Sequence, residues 1–204
     1  MSGVGQKKLE DFGAAFMDVV STWLAAHTRL SFAPLGVAFA VTSLLARPLI
    51  ARHGAEDFTV TPQSYEATLS TLKKMLPPGK KLLVLTGSCG DRMKEKRPTV
   101  GKIVSHYADI MVVTNEDPYT EDPEKIIDAV WAGVDQSKTE AHRISDRKEA
   151  IEFLLKKATE GDIVIFCGKG SDTTMWVKEG QIPWDERKIV KEMLHVFPLP
   201  AGEG

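Results

Sequence analysis

A chain of 204 residues with 26 basic and 28 acidic side chains carries a formal charge of −2 and is 43% hydrophobic. That length and composition suit one large domain, or a domain with an appendage, and exclude a disordered or fibrous chain. The charge balance excludes a nucleic-acid binder that works through bulk basic excess. Two cysteines, Cys89 and Cys167, make neither a disulfide framework nor a CxxC metal pair, so the chain reads as reduced and cytoplasmic.

Taken in chain order, Leu9, Phe12, Phe16, Val20 and Trp23 recur at helical spacing and predict a helix over 7–28. An uncharged run over 30–46 follows, interrupted early by Pro34 and Gly36. It is shorter than the roughly 20 apolar residues of a membrane-spanning helix, and it predicts a second helix over 36–50. The favoured reading of residues 1–53 is a helical hairpin packed on the main domain, with membrane contact of 30–46 as the alternative. Residues 54–204 form the main domain.

From Asp57 onward the pattern changes. Apolar runs of strand length lie at 81–86 (KLLVLT), 109–114 (DIMVVT) and 162–167 (DIVIFC). Between and after them, helical patterns lie at 62–76, 99–107, 123–134, 146–159 and 185–196. Thr61 before Pro62, Asp122 before Pro123, and Asp146 are helix-start signals. Continuous apolar strands alternating with helices predict an α/β fold, a Rossmann-like, mostly parallel sheet covered on both faces. Ligands in such sheets bind beyond the C-terminal strand ends.

The three strand-end loops carry complementary charge. Residues 87–98 hold two glycines and the cations Arg92, Lys94, Lys96 and Arg97, a setting that favours an anion. Residues 114–123 hold four acids, Glu116, Asp117, Glu121 and Asp122, and two prolines. Residues 168–172 (GKGSD) let the backbone approach a ligand closely. Together the loops suit a zwitterion, its carboxylate near Arg92 and its amine near the acids. Neither a P-loop (GxxxxGK[ST]) nor a GxGxxG fingerprint occurs. The five histidines are scattered, so no metal site is expected, and Ser88–Cys89 has no histidine nearby to activate a nucleophile. Trp176 and Trp184 read as packing residues.

The segments DFTVTPQSYEATL (57–69), GSCGDRMKEKRP (87–98), VTNEDPYTEDPEKII (113–127), DRKEAI (146–151), GKGSD (168–172) and IPWDERKIVKEML (182–194) occur in this order. In this they resemble the C-terminal domain of the Mur ligase family, most of all its tripeptide synthetase branch, which adds the third peptide residue to the peptidoglycan precursor. The resemblance covers about two thirds of the chain. It implies a Rossmann-like domain that delivers an amino acid in ATP- and Mg2+-dependent amide formation, through an acyl phosphate on a UDP-N-acetylmuramoyl-dipeptide. By the same resemblance, Arg92, Asp117, Tyr119, Gly168 and Asp172 fall where the family binds the amino acid, and Asp57 falls near the nucleotide. No catalytic residue is assigned to this chain.

Three departures from the family pattern stand out. Val60 stands where the DYAHTP motif has histidine. Asp117 and Tyr119 stand where diaminopimelate-adding members have the Asn and Arg of DNPR. Losing that arginine removes a bidentate carboxylate contact worth about 1.5–3 kcal/mol, and the added acid favours a cationic distal end such as lysine over diaminopimelate. Without a P-loop the chain is expected to be inactive alone, its ATPase domain supplied in cis or in trans. The alternatives are a subunit completing a separate ATPase chain and a non-catalytic module binding an amino acid or wall precursor.

Overall fold

The computed structural model describes residues 36–37, 61–170 and 172–196. The elements in chain order are β1 (Gly36–Val37), α1 (Pro62–Met75), β2 (Leu82–Thr86), a 3-10 turn (Lys94–Lys96), α2 (Arg97–Tyr107), β3 (Ile110–Val113), α3 (Pro123–Trp131), β4 (Glu140–Arg143), α4 (Arg147–Lys157), β5 (Ile163–Phe166), β6 (Thr174–Val177), β7 (Gly180–Pro183) and α5 (Glu186–Val196). The expected helix over 7–28 lies outside the described residues. Of the expected helix over 36–50, only Gly36 and Val37 are described, and they are extended, paired with β5. Among the described residues no helix is long and apolar enough to cross a membrane.

Five strands form one sheet in the order β1-β5-β2-β3-β4, with every neighbouring pair parallel. Parallel neighbours require crossover connections, and the helices between strands supply them. Successive side chains of a strand point to opposite faces. Leu82 and Val84 therefore join Met111, Val113 and Ile165 beneath α1, α2 and α3. Leu83, Leu85, Ile110, Val112 and Val164 pack instead under α4 and α5 through Ile151, Leu154 and Val190. Each fully buried aliphatic side chain here contributes roughly 1.5–3 kcal/mol of transfer free energy. The fold expected from the sequence is the fold observed.

The expected helix starts are also observed. Thr61, Asp122 and Asp146 each accept a backbone N–H of the first turn, from Ser64, Glu124 and Glu149. At the N-terminal edge of the sheet two aspartates staple strands to their flanks. Asp109 accepts from the Leu82 N–H at 2.8 Å and from Lys73 Nζ at 2.6 Å. Asp162 accepts from the Lys81 and Thr159 N–H groups.

Besides β1, which stands where a helix was expected, three strands have no counterpart in the expected set. β4, at the edge of the sheet among the described residues, is largely polar (Glu-Ala-His-Arg) and half exposed. β6 and β7 form a separate antiparallel hairpin.

The connection order places the chain reversal between β2 and β5. From β2 the chain runs outward through β3 to β4, then returns over the opposite face through α4 to β5. The loops after β2 and β5 diverge there, and such a switch point is where open α/β sheets form a crevice.

Candidate amino-acid site at the strand ends

The loops after β2 and β3 are in backbone contact. The Gly90 N–H donates to the Asp117 carbonyl at 2.8 Å. A Cβ on Gly90 would lie 1.9 Å from the Pro118 carbonyl oxygen, so only glycine permits this approach. Next to it Asp91 adopts φ 60° and accepts from the Thr120 hydroxyl at 2.9 Å and the Thr120 N–H at 3.2 Å.

The opposite charges of these two loops face each other and join them. Buried Arg97, at the start of α2, holds Glu121 through both terminal nitrogens at 2.9 and 3.0 Å and donates to the Cys89 carbonyl at 3.0 Å. Lys94 Nζ lies 3.3 Å from the same carboxylate, and the Asp91 N–H also donates to it. The Arg97 guanidinium holds the Glu121 carboxyl down to about 2, from an ordinary 4.5. Because the folded value is depressed, the stabilisation is present above pH 4.5 and lost as pH falls toward 2. Glu121→Gln should therefore melt below the parent chain at pH 7, and thermal melts should show that gap closing between about pH 4.5 and pH 2.

The loops after β3 and β5 meet through buried charge. Lys169 Nζ donates to both Asp117 oxygens, at 2.7 and 2.8 Å. The Trp176 N–H adds a third hydrogen bond to Asp117, at 2.8 Å. The negative charge that Asp117 brings to the site is thus balanced within it. Beneath this pair Glu116 is fully buried, accepting from the Cys89 thiol at 3.3 Å. Its Oε2 has no hydrogen-bond partner. Burial pushes the Glu116 carboxyl above the usual carboxylate range, opposed first by the Arg147 guanidinium. Burial likewise raises the Cys89 thiol and pushes Cys167 up to about 12, so neither is a nucleophile at neutral pH. Gly168, at φ 106°, closes over this carboxyl: a Cβ there would stand 2.2 Å from Glu116 Oε2.

At the mouth of the site three side chains stack. Tyr119, itself at φ 51°, lies parallel to Trp176 of β6, with ring centroids 5.6 Å apart and 19° between planes. Arg92 Cζ sits 5.2 Å from the Tyr119 centroid, and its Nη2 donates to the Tyr119 hydroxyl at 2.8 Å. The tyrosine orients the guanidinium by a hydrogen bond and a cation–π contact.

Of the residues singled out by resemblance, Arg92, Asp117, Tyr119 and Gly168 come together here. Asp172 is on the same loop as Gly168, with an exposed carboxylate 3.6 Å from Lys169 Nζ. Asp57 lies outside the described residues. Sequence reading named Arg97, Glu116 and Glu121 only as loop charges, read Trp176 as a packing residue where it is 40% exposed and stacks on Tyr119, and gave no role to Lys169 or Arg147. Their roles depend on pairings between residues far apart in the chain, for which neither periodicity nor local spacing gives a signal. Among the described residues no group of three or more His, Cys, Asp or Glu side chains could hold a metal.

The family model for the Mur ligase, glutamate ligase domain, matches residues 56–170. The chain belongs to the Mur ligase family. Curated relatives named UDP-N-acetylmuramoyl-L-alanyl-D-glutamate--2,6-diaminopimelate ligase share its sequence. That of Caldanaerobacter subterraneus subsp. tengcongensis is 38% identical over 138 residues, and that of Syntrophomonas wolfei is 38% identical over 140 residues. The Aquifex aeolicus relative is 36% identical over 138 residues. Each alignment takes in 68% of this chain and 28% of the relative, so the chain spans just over a quarter of the length of these ligases. A solved structure of an enzyme with that same name superposes with a TM-score of 0.62 at 32% identity, over 67% of this chain and 28% of that one.

Proposed function

We propose that this chain supplies the amino-acid-delivering domain of an ATP-dependent ligase that joins diaminopimelate to UDP-N-acetylmuramoyl-L-alanyl-D-glutamate in peptidoglycan synthesis. The observation that carries the reading is the cluster of Arg92, Asp117, Tyr119 and Gly168 at the switch point of a Mur ligase fold. The preference for a cationic distal end rested on two departures, the tyrosine at 119 in place of arginine and the added acid Asp117, and the second argument assumed that Asp117 is unpaired. With Asp117 held by Lys169, its added negative charge is balanced within the site, and the Arg92 guanidinium, oriented by the Tyr119 hydroxyl, offers the fork geometry that suits a distal carboxylate. The names of the relatives support the same amino acid.

In this reading the chain binds and orients. Arg92, held by Tyr119, takes the distal carboxylate, and the exposed Asp172 carboxylate on the Gly168 loop is placed for the amine end. ATP and Mg2+ would supply carboxylate activation in the whole ligase. This chain has no P-loop, and its described residues form no carboxylate cluster, so they do not fit a triphosphate with its metal. Ligation therefore needs an ATPase part in cis or in trans.

Calorimetry of the full chain with diaminopimelate and with lysine, under matched conditions, tests this. Diaminopimelate should bind more tightly, and Arg92→Met should weaken it about 10- to 100-fold, the range of a charge-assisted hydrogen bond. Tighter binding of lysine would move the specificity to a basic amino acid. Failure of the parent chain to bind either would remove the reading.

A further inference from the structure

Loops offer a ligand fixed contacts only if something fixes their separation. On the outer side of the site that is the Lys169–Asp117 pair. On the core side it is Arg147, the first residue of α4 behind its Asp146 cap. The guanidinium is buried. Its Nη1 donates to the Asn115 carbonyl at 3.2 Å, and its Nη2 donates to the Cys167 carbonyl at 2.7 Å. Nε and Nη2 also bond the Glu186 carboxylate of α5, at 2.6 and 3.1 Å. The two carbonyls belong to the residues directly before Glu116 and Gly168, which approach so closely that a Cβ on Gly168 would stand 2.2 Å from Glu116 Oε2. One planar fork of donors therefore sets the loop after β3 against the loop after β5, anchored in turn on α5.

The geometry points to Arg147 as a positioning residue for the amino-acid site. Holding two backbone carbonyls on one guanidinium, it fixes the distance between the loop of Asp117 and Tyr119 and the loop of Gly168 and Lys169. A ligand bridging the two loops meets contacts already spaced, which lowers the ordering cost of binding. The inference rests on the ligase reading for its ligand but not for its geometry.

Two full-chain variants test it. Arg147→Lys keeps the charge and loses the fork. Arg147→Met with Glu186→Leu replaces the buried pair by apolar groups, a change that often leaves stability intact. In calorimetry with diaminopimelate both should bind at least about tenfold more weakly, equivalent to about 1.4 kcal/mol, with unchanged stoichiometry. A residue that served folding alone would lower the stoichiometry and leave the Kd of the folded molecules unaltered; that result overturns the proposal. The second readout needs no ligand. Amide hydrogen exchange at residues 115–117, 119 and 167–170 should quicken in the double variant while the amides of β2 and α1 keep their rates. Unchanged exchange in these loops overturns the proposal as well. Should the parent chain bind neither diaminopimelate nor lysine, the ligase reading alone would fall, and exchange would still decide the role of Arg147.

Discussion

Lys169→Met should destabilise the folded chain by about 3–5 kcal/mol, the usual loss when one partner of a buried ion pair is removed. Asp117 is 7% exposed and accepts three hydrogen bonds, two of them from Lys169. Methionine keeps much of the length of lysine but leaves the carboxylate with a single backbone donor in a site that water barely reaches. Adding Asp117→Asn removes the stranded charge while an amide oxygen can still accept from the Trp176 N–H, so the double variant should regain most of the loss. Urea unfolding of the four chains gives the coupling directly. A loss below about 1 kcal/mol for Lys169→Met would mean the pair behaves like an exposed one, and the compensation of Asp117 on which the diaminopimelate preference rests would no longer stand.

The second large effect is expected at Gly168. An alanine there meets two separate penalties. Its φ of 106° is a region that L side chains avoid, and its Cβ would stand 2.2 Å from Glu116 Oε2 and 2.4 Å from Glu116 Cδ. Glu116 cannot withdraw easily, because it is buried beneath the Asp117–Lys169 pair and engaged by Cys89. Gly168→Ala should therefore cost about 3 kcal/mol or more in stability and abolish amino-acid binding. Gly180 supplies an internal control: its φ is 123°, yet nothing lies within 4 Å of the Cβ position. Gly180→Ala should show the backbone penalty alone, about 1–2 kcal/mol. Equal losses for the two substitutions in urea unfolding would show that the loops yield freely around Glu116.

Which parts of the molecule were legible in the sequence follows from where the information resides. The central strands β2, β3 and β5 are buried on both faces, so their residues are apolar without interruption and stand out as runs. Helix starts announce themselves because a cap is a local device, as Thr61, Asp122 and Asp146 show. β4 was missed because an edge strand half in solvent needs no apolar pattern. The β6–β7 hairpin was missed because its one buried side chain, Met175, is too little to make a run. In the site, Arg92 and Tyr119 were found by resemblance, and their contact joins two loops that the parallel sheet brings together. Asp117 was found, but its balancing partner Lys169 lies 52 positions away, and no local spacing encodes that pairing. Arg147 stood inside the quoted DRKEAI segment, where a basic residue in a first helical turn looks like an ordinary surface charge. Its burial becomes visible only once β3, β5 and α5 converge on it.

The polarity that hid β4 has a bearing on how the molecule behaves among copies of itself. Among the described residues β4 pairs with β3 alone, so within that set its other side carries unpaired backbone donors and acceptors. An unpaired strand of that kind is a template on which a neighbouring chain can add, the first step of aggregation. Here the template is fenced by ionic side chains. Glu140 is bonded to Lys157 at 2.8 Å and to His142 at 2.9 Å, and Arg143 is tied to Asp128. An incoming strand would have to desolvate or displace these groups before it gained a single ladder hydrogen bond, so this border of the sheet favours solubility over growth at the crowded concentrations of a cell.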